Sequence, residues 1–215
     1  MSPTLVLVPT EFELQRIPSH FSATLRQRGD ILEICGFGVI AAGIRTTQLL
    51  QLHRPKSVVL IGIAGSYSGI LPIGTATTFS KIACYGVGAG SGKQFETAGE
   101  LGWSQWQDSG SPHGFSDVIE TSMCPQSSSQ QRTLLTCCAA SCCVEDVHDR
   151  LQKFPNAVAE DMESYAAAMA CRCMNIPFTV VRGISNVAGD RDKSGWNVSG
   201  ALAAAAELAL TEITS

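Results

Sequence analysis

The stretch SVVLIGIAG (57–65) is apolar at odd and at even positions alike. Side chains of a strand alternate between faces, so such a run has to be covered on both. TLVLV (4–8) and PFTVVRGIS (177–185) carry the same signature. Chains of this kind build a parallel or mostly parallel sheet with helices on both sides. The intervening segments agree. Glu11 to Arg28 has helical apolar spacing broken at Pro18, so a helix is expected to stop and restart near Ser19. Ile40 to His53, Val144 to Lys153, Met162 to Met174 and Val198 to Ile213 read as further helices. Further strands are expected at Asp30 to Cys35 and Leu134 to Cys138, with a strand end at Ala157 to Ala159. Residues 71–87 read as two β segments divided at Gly74. Gly86 to Gln131, rich in Gly, Ser, Gln and Trp, reads as loop with a short element near Val118.

No internal repeat or linker divides the 215 residues, so one domain over 1–215 is expected. A net charge of −4 gives no basic footprint for nucleic acid. The longest apolar runs fall far short of the roughly 20 residues of a membrane span. The N-terminal apolar run has no basic segment before it, as a signal peptide would. Nine cysteines lack the CxxC or HxxxH spacing of zinc sites, so they are expected to be small buried hydrophobes in a reducing cytoplasm. No pattern calls for a metal or a nucleotide cofactor. At 45% hydrophobic and 16% charged, the chain is expected to have an apolar surface suited to a homo-oligomer, most simply a dimer.

In sheets of this class, ligands bind beyond the carboxyl ends of the strands. That singles out Thr10 to Glu13, Ala64 to Ser66, Glu160 to Glu163 and Ser185-Asn186. Each has an ordinary explanation when taken alone. Glu13 suits the dipole of a helix start, Glu160 to Glu163 an acidic first turn, and Asn186 a turn.

Together and in order, VPTEFE, GIAGS, AVAEDMESYAAA and VVRGISNVAGD resemble the purine nucleoside phosphorylase and nucleosidase superfamily. Within it, the EDME run and the later Asn186, Gly189, Arg191, Asp192 and Trp196 are most similar to the futalosine hydrolase branch. The resemblance implies an α/β fold: a single-domain three-layer sandwich with a central mixed, mostly parallel twisted sheet flanked by helices. It also implies cleavage of an N-glycosidic bond, with a nucleoside and water as the small-molecule partners.

That chemistry builds positive charge on the sugar and negative charge on the departing base. Glu163 is then the ribose residue, since one carboxylate can accept from both the 2′ and 3′ hydroxyls. Met162 offers the ligand a polarizable surface. Asp161, two residues from Glu163, would point elsewhere on a helix and is expected to be structural or to support the residues that touch substrate. Ala64 and Gly65 bring backbone close to substrate, and Ser185 orients the loop or the base. Glu13 stands where the resemblance places a water-polarizing glutamate. With Glu11 beside it, phosphate would be repelled, which favours a hydrolase over a phosphorylase; Arg16 nearby weakens the exclusion.

Asn186 occupies the point where adenine-specific nucleosidases carry Asp. An amide can donate to N7 or to a 6-oxo group and accept from a ring N–H, but it cannot act as an acid. That points to a 6-oxopurine such as hypoxanthine, released from futalosine. Methylthioadenosine or adenosylhomocysteine hydrolysis, a 6-oxopurine phosphorylase and a noncatalytic nucleoside-binding protein remain the alternatives. Arg191 is open to two roles: holding a carboxylate at the 5′ end of the substrate, or pairing with Asp190 or Asp192. A residue packing on the base is expected between Ala139 and Val144. The Gly-rich run from Tyr85 to Phe95 is expected to close over the ligand.

Overall fold

The computed structural model describes residues 2–106, 115–121 and 132–214. In chain order the elements are β1 (Thr4–Val8), α1 (Glu11–Leu14), α2 (Ser19–Arg28), β2 (Ile31–Ile34), α3 (Gly38–His53), β3 (Ser57–Ser66), β4 (Ala76–Thr78) and β5 (Lys81–Tyr85). A small hairpin of β6 (Gly88–Ala89) and β7 (Glu96–Thr97) and the edge strand β8 (Val118–Glu120) follow. The chain continues with β9 (Thr133–Cys137), α4 (Val144–Lys153), β10 (Ala157–Asp161), α5 (Ser164–Cys173), β11 (Phe178–Val187) and α6 (Val198–Thr214).

The central sheet runs β2-β1-β3-β10-β9-β5-β8, with β11 paired to β3 and carrying β4 on its far side. The β1–β2, β1–β3, β3–β11, β9–β10 and β5–β9 pairs are parallel, whereas β3–β10, β4–β11 and β5–β8 are antiparallel. This is the mixed, mostly parallel sheet expected from the apolar runs. The alternation of β1 and β3 shows why both parities are apolar. Leu5, Leu7, Val58 and Leu60 pack in one core with α3 and α5. Val6, Val8, Val59 and Ile61 pack in a second core with α2 and α6. The α/β/α sandwich follows directly from the strands having two buried faces.

Glycine is required where α6 crosses β11. A Cβ on Gly183 would lie 2.0 Å from the Ala201 carbonyl oxygen, so only hydrogen lets helix and strand approach this closely.

Three expectations are corrected. Gly74 does not divide two strands. It takes a left-handed turn (φ 85°) ahead of β4, and the break between β4 and β5 falls at Phe79-Ser80. The helix expected from Met162 begins at Ser164, and Met162 and Glu163 lie in the bend that precedes it. The cysteines are not uniformly buried: Cys138, Cys142 and Cys173 are exposed and Cys143 is half-buried. Cys124 lies outside the described residues. Among the described residues, no helix is long and apolar enough to cross a membrane.

Candidate active site

A cavity of about 640 Å³ opens beyond the carboxyl ends of β1, β3, β10 and β11. It is lined by Glu13, Ala64, Gly65, Met162, Glu163, Ser185, Asn186 and Arg191. Of the strand-end segments singled out from the sequence, all four reach one space, though Glu11 and Ser66 do not line it. Each does so because it terminates or follows a strand of a single sheet.

Glu13 is placed by its own helix cap. Thr10, the last residue before α1, accepts from the Glu13 backbone N–H at 3.2 Å and donates its hydroxyl to Glu13 Oε2 at 2.7 Å. This is a helix N-cap turned to hold a side chain. Oε1 accepts from the Ile63 N–H at 3.1 Å, tying α1 to the end of β3. Glu13 is 6% exposed.

Glu163 is held by the opening of α3. Its Oε1 accepts from the Gly38 N–H at 3.0 Å, a free donor of the helix N-terminus. Burial pushes its carboxyl up to about 7; Arg182 works against the shift and Asp161 adds to it.

Arg182 is the residue beneath the site that the sequence does not reveal. It sits in the middle of β11, fully buried. Nε and Nη2 both donate to Asp161 Oδ2, at 2.9 and 2.5 Å, and Nη2 also reaches Ser164 Oγ at 3.1 Å and Glu163 Oε2 at 3.5 Å. Burial disfavours its charge, but Asp161, Glu163 and Glu13 together outweigh that and raise its pKa. Among the described residues, Nη1 has no hydrogen-bond partner. Gly62 makes the arrangement sterically feasible. A Cβ there would stand 2.0 Å from Nη1 and 2.9 Å from Glu13 Oε1, so guanidinium and carboxylate both pack close against this glycine. The available signal was a lone Arg inside an otherwise apolar strand, because a buried charge requires partners.

Asp161 is structural, as expected, though for a different reason. It ends β10 rather than lying on a helix, and it gathers Arg182, Ser164 and the Thr136 hydroxyl. Ser185 and Asn186 owe their aim to a β-bulge. Between Ile184 and Asn186 the register of β11 against β3 shifts, so Ser185 is an extra residue. Ser185 Oγ donates to Asn186 Oδ1 at 2.8 Å, and Asn186 Nδ2 donates to the Val187 carbonyl at 2.8 Å. This fixes the amide orientation and leaves the second N–H of Nδ2 for a ligand.

Arg191 is exposed and makes no ion pair among the described residues. Its guanidinium carbon lies 5.5 Å from the centre of the Trp196 ring. Asp190 and Asp192 instead accept from backbone N–H groups of their own loop. Trp196 also lines the cavity, and among the described residues its indole N–H has no partner. The wall from Cys138 to Cys142 offers only small side chains, and the aromatic residues of the cavity are Phe12, Phe37 and Trp196. Tyr85 packs on Phe95, ring centres 4.6 Å apart, and the Tyr85 to Phe95 run is not part of the lining.

A second buried network supports that small-residue wall. Arg150 Nη1 donates to Glu160 Oε2 at 2.6 Å, and the Tyr67 hydroxyl donates to the same oxygen at 2.9 Å. Ser141 binds Glu160 through both its N–H (2.7 Å) and its hydroxyl (2.6 Å), while Arg150 Nη2 holds the Ala139 carbonyl at 2.9 Å. The loop is thus suspended from a buried ion pair.

Known proteins share this fold. The family model of the phosphorylase superfamily matches residues 27–214. A 5′-methylthioadenosine/S-adenosylhomocysteine nucleosidase of Tolumonas auensis is 28% identical over 172 residues, covering 76% of this chain and 71% of that protein. The enzyme of the same name from Anoxybacillus flavithermus is 26% identical, covering 80% and 73%. Two solved Helicobacter pylori structures share the fold. A nucleosidase of that name superposes with a TM-score of 0.74 at 15% identity, over 100% of this chain and 98% of that one. Futalosine hydrolase superposes with a TM-score of 0.71 at 16% identity, with the same coverage. With a family match across most of its length and a sheet whose strand ends converge on one cavity, the chain belongs to the phosphorylase superfamily.

Proposed function

We propose that this chain is a nucleosidase that hydrolyses the N-glycosidic bond of a purine nucleoside. The observation that carries the reading is the cavity at the strand ends, into which the buried carboxylates of Glu13 and Glu163 both open beside Asn186. A water in the cavity beside Glu13 donates to its carboxylate. Glu13 takes its proton as the oxygen bonds to C1′ and the bond to the base nitrogen breaks. General-base assistance of this kind contributes about 10²–10⁴-fold. Glu163, in its ionised form, accepts from the ribose hydroxyls and opposes the positive charge growing on the sugar. Asn186 directs its remaining amide N–H to the base.

Arg16 no longer argues for a phosphorylase. Its guanidinium donates to the Phe12 carbonyl at 2.9 Å and lies 3.6 Å from the Phe12 ring centre. Phosphate would meet the carboxylates of Glu13 and Glu163 instead. The exposed α3 residues Phe37, Ile40, Ile44 and Leu52 support assembly as a homo-oligomer. Phe37 also lines the cavity, so a neighbouring subunit on that face would border the substrate.

Two substrates compete. The curated relatives support methylthioadenosine or adenosylhomocysteine more strongly than futalosine. Asn186 supports a 6-oxopurine, as in futalosine, because its amide cannot protonate the base and a 6-oxopurine leaves more readily. Arg191, without a carboxylate partner, is suited to an acidic 5′ substituent. Base release from futalosine, inosine and methylthioadenosine, each with and without phosphate, decides. Hypoxanthine from futalosine alone supports the Asn186 argument. Adenine from methylthioadenosine establishes the relatives' activity. Dependence on phosphate overturns hydrolysis, and no release from any nucleoside overturns the nucleosidase reading.

A further inference from the structure

Where the chain leaves the cavity wall and enters α4, it gathers a second set of reactive groups. The Sγ atoms of Cys142 and Cys143 and a carboxylate oxygen of Asp146 all lie within 4.8 Å of one another. The local backbone explains the convergence. Cys143 precedes α4 in extended conformation (φ −155°, ψ 175°), and its side chain makes no cap hydrogen bond. Asp146, on the first turn, reaches back, and its Oδ2 accepts from the Cys142 N–H at 2.8 Å. The carboxylate is thereby pinned beside both sulfurs. Cys142 is exposed and Cys143 half-buried, so the cluster is open to solvent. Cys142 also lines the cavity.

We propose that Cys142, Cys143 and Asp146 form a binding site for a thiophilic divalent cation of the zinc type, at the rim of the nucleoside cavity. Two sulfurs on one tetrahedral zinc, each about 2.3 Å from the metal, stand about 3.8 Å apart, so rotamer-scale adjustments close the observed cluster onto an ion. Two thiolates select zinc or cadmium over magnesium or calcium, which prefer oxygen. Three protein donors leave the fourth position to water, and binding sends the two thiol protons to solvent. The sequence did not show the site because adjacent cysteines lack the usual ligand spacing. The third donor comes from the next turn of chain.

Cadmium is the probe. It is titrated into the reduced full-length protein while thiolate-to-cadmium absorption in the ultraviolet is followed. One equivalent is expected to saturate the signal, with displacement by zinc and none by magnesium. Cys143→Ser and Asp146→Asn are each expected to weaken binding by about tenfold or more. Asp146→Asn keeps an acceptor for the Cys142 N–H, so the local fold survives that test. Cys173→Ser, at an exposed thiol elsewhere, is expected to change nothing. Cadmium affinity unchanged in Cys143→Ser and in Asp146→Asn overturns the proposal, as does a loss in Cys173→Ser equal to theirs. Binding is read without turnover, so the result is separate from the outcome of the base-release assay.

Discussion

At the floor of the cavity Glu13, Asp161, Glu163 and Arg182 are buried and cross-linked. At the rim Asn186, Arg191, Trp196 and Cys142 are partly or fully exposed and stand largely apart. The floor is built from strand ends, a bend and a four-residue helix. Each charge there has a fixed partner, because a buried ion without one costs several kcal/mol. The rim is built on a bulge and on loops, where a side chain can change without leaving a buried group unpaired. Under the proposed function, the contrast puts the chemistry at the floor and the choice of substrate at the rim.

The floor should fail first and most severely. Glu13→Gln is expected to lower kcat by about 10²–10⁴-fold while KM changes little, since the amide keeps shape but accepts a proton poorly. Steady-state base release measures both, and a loss below tenfold would remove Glu13 from the role of base. Arg150→Ala tests whether the rim wall needs buried support. Breaking the pair with Glu160 is expected to cost about 3–5 kcal/mol of stability, read by denaturant unfolding. A cost under 1 kcal/mol would mean that the wall stands without the ion pair.

Asn186→Asp should then shift base preference toward adenine nucleosides by about tenfold, the worth of one exchanged hydrogen bond. An unchanged preference would move specificity off the rim. The acidity of Glu163 gives a subtler test. Its carboxyl titrates near 7, and only the ionised form accepts from both ribose hydroxyls. The kcat/KM should therefore rise with pH through about 7 and level off above it. Glu163→Gln should flatten that limb at a lower plateau. A limb that persists in the variant belongs to another group. The smallest effect belongs to Arg191→Ala. An exposed cation contributes about 1 kcal/mol or less, so KM for a 5′-carboxylate substrate should rise only a few-fold, and KM for inosine not at all.

The rim was the easier half to read from sequence. Asn186, Arg191 and Trp196 lie in one short segment after an apolar strand. The strands were legible because a double-faced apolar run has few other uses, and β3 and β11 each fall within two residues of their expected ends. The floor was only half visible. Arg182 is one cation among apolar neighbours in VVRGIS, and nothing local reveals that Asp161, at the end of another strand, and Glu163, in the bend after it, reach it. Arg150 reads as the surface of a polar helix until tertiary packing brings Glu160 and Ser141 to it. Gly74 reads as a divider in the sequence, yet in the fold it only turns the chain into β4.

Gly62 and Arg182 also have a bearing on descent. Any side chain at 62 runs into the guanidinium at 2.0 Å. Any shorter, neutral residue at 182 leaves Asp161 and Glu163 without their cation. Neither position can change first without a broken intermediate. A lineage that keeps this fold but turns to other chemistry has to replace both together, while the rim drifts one residue at a time.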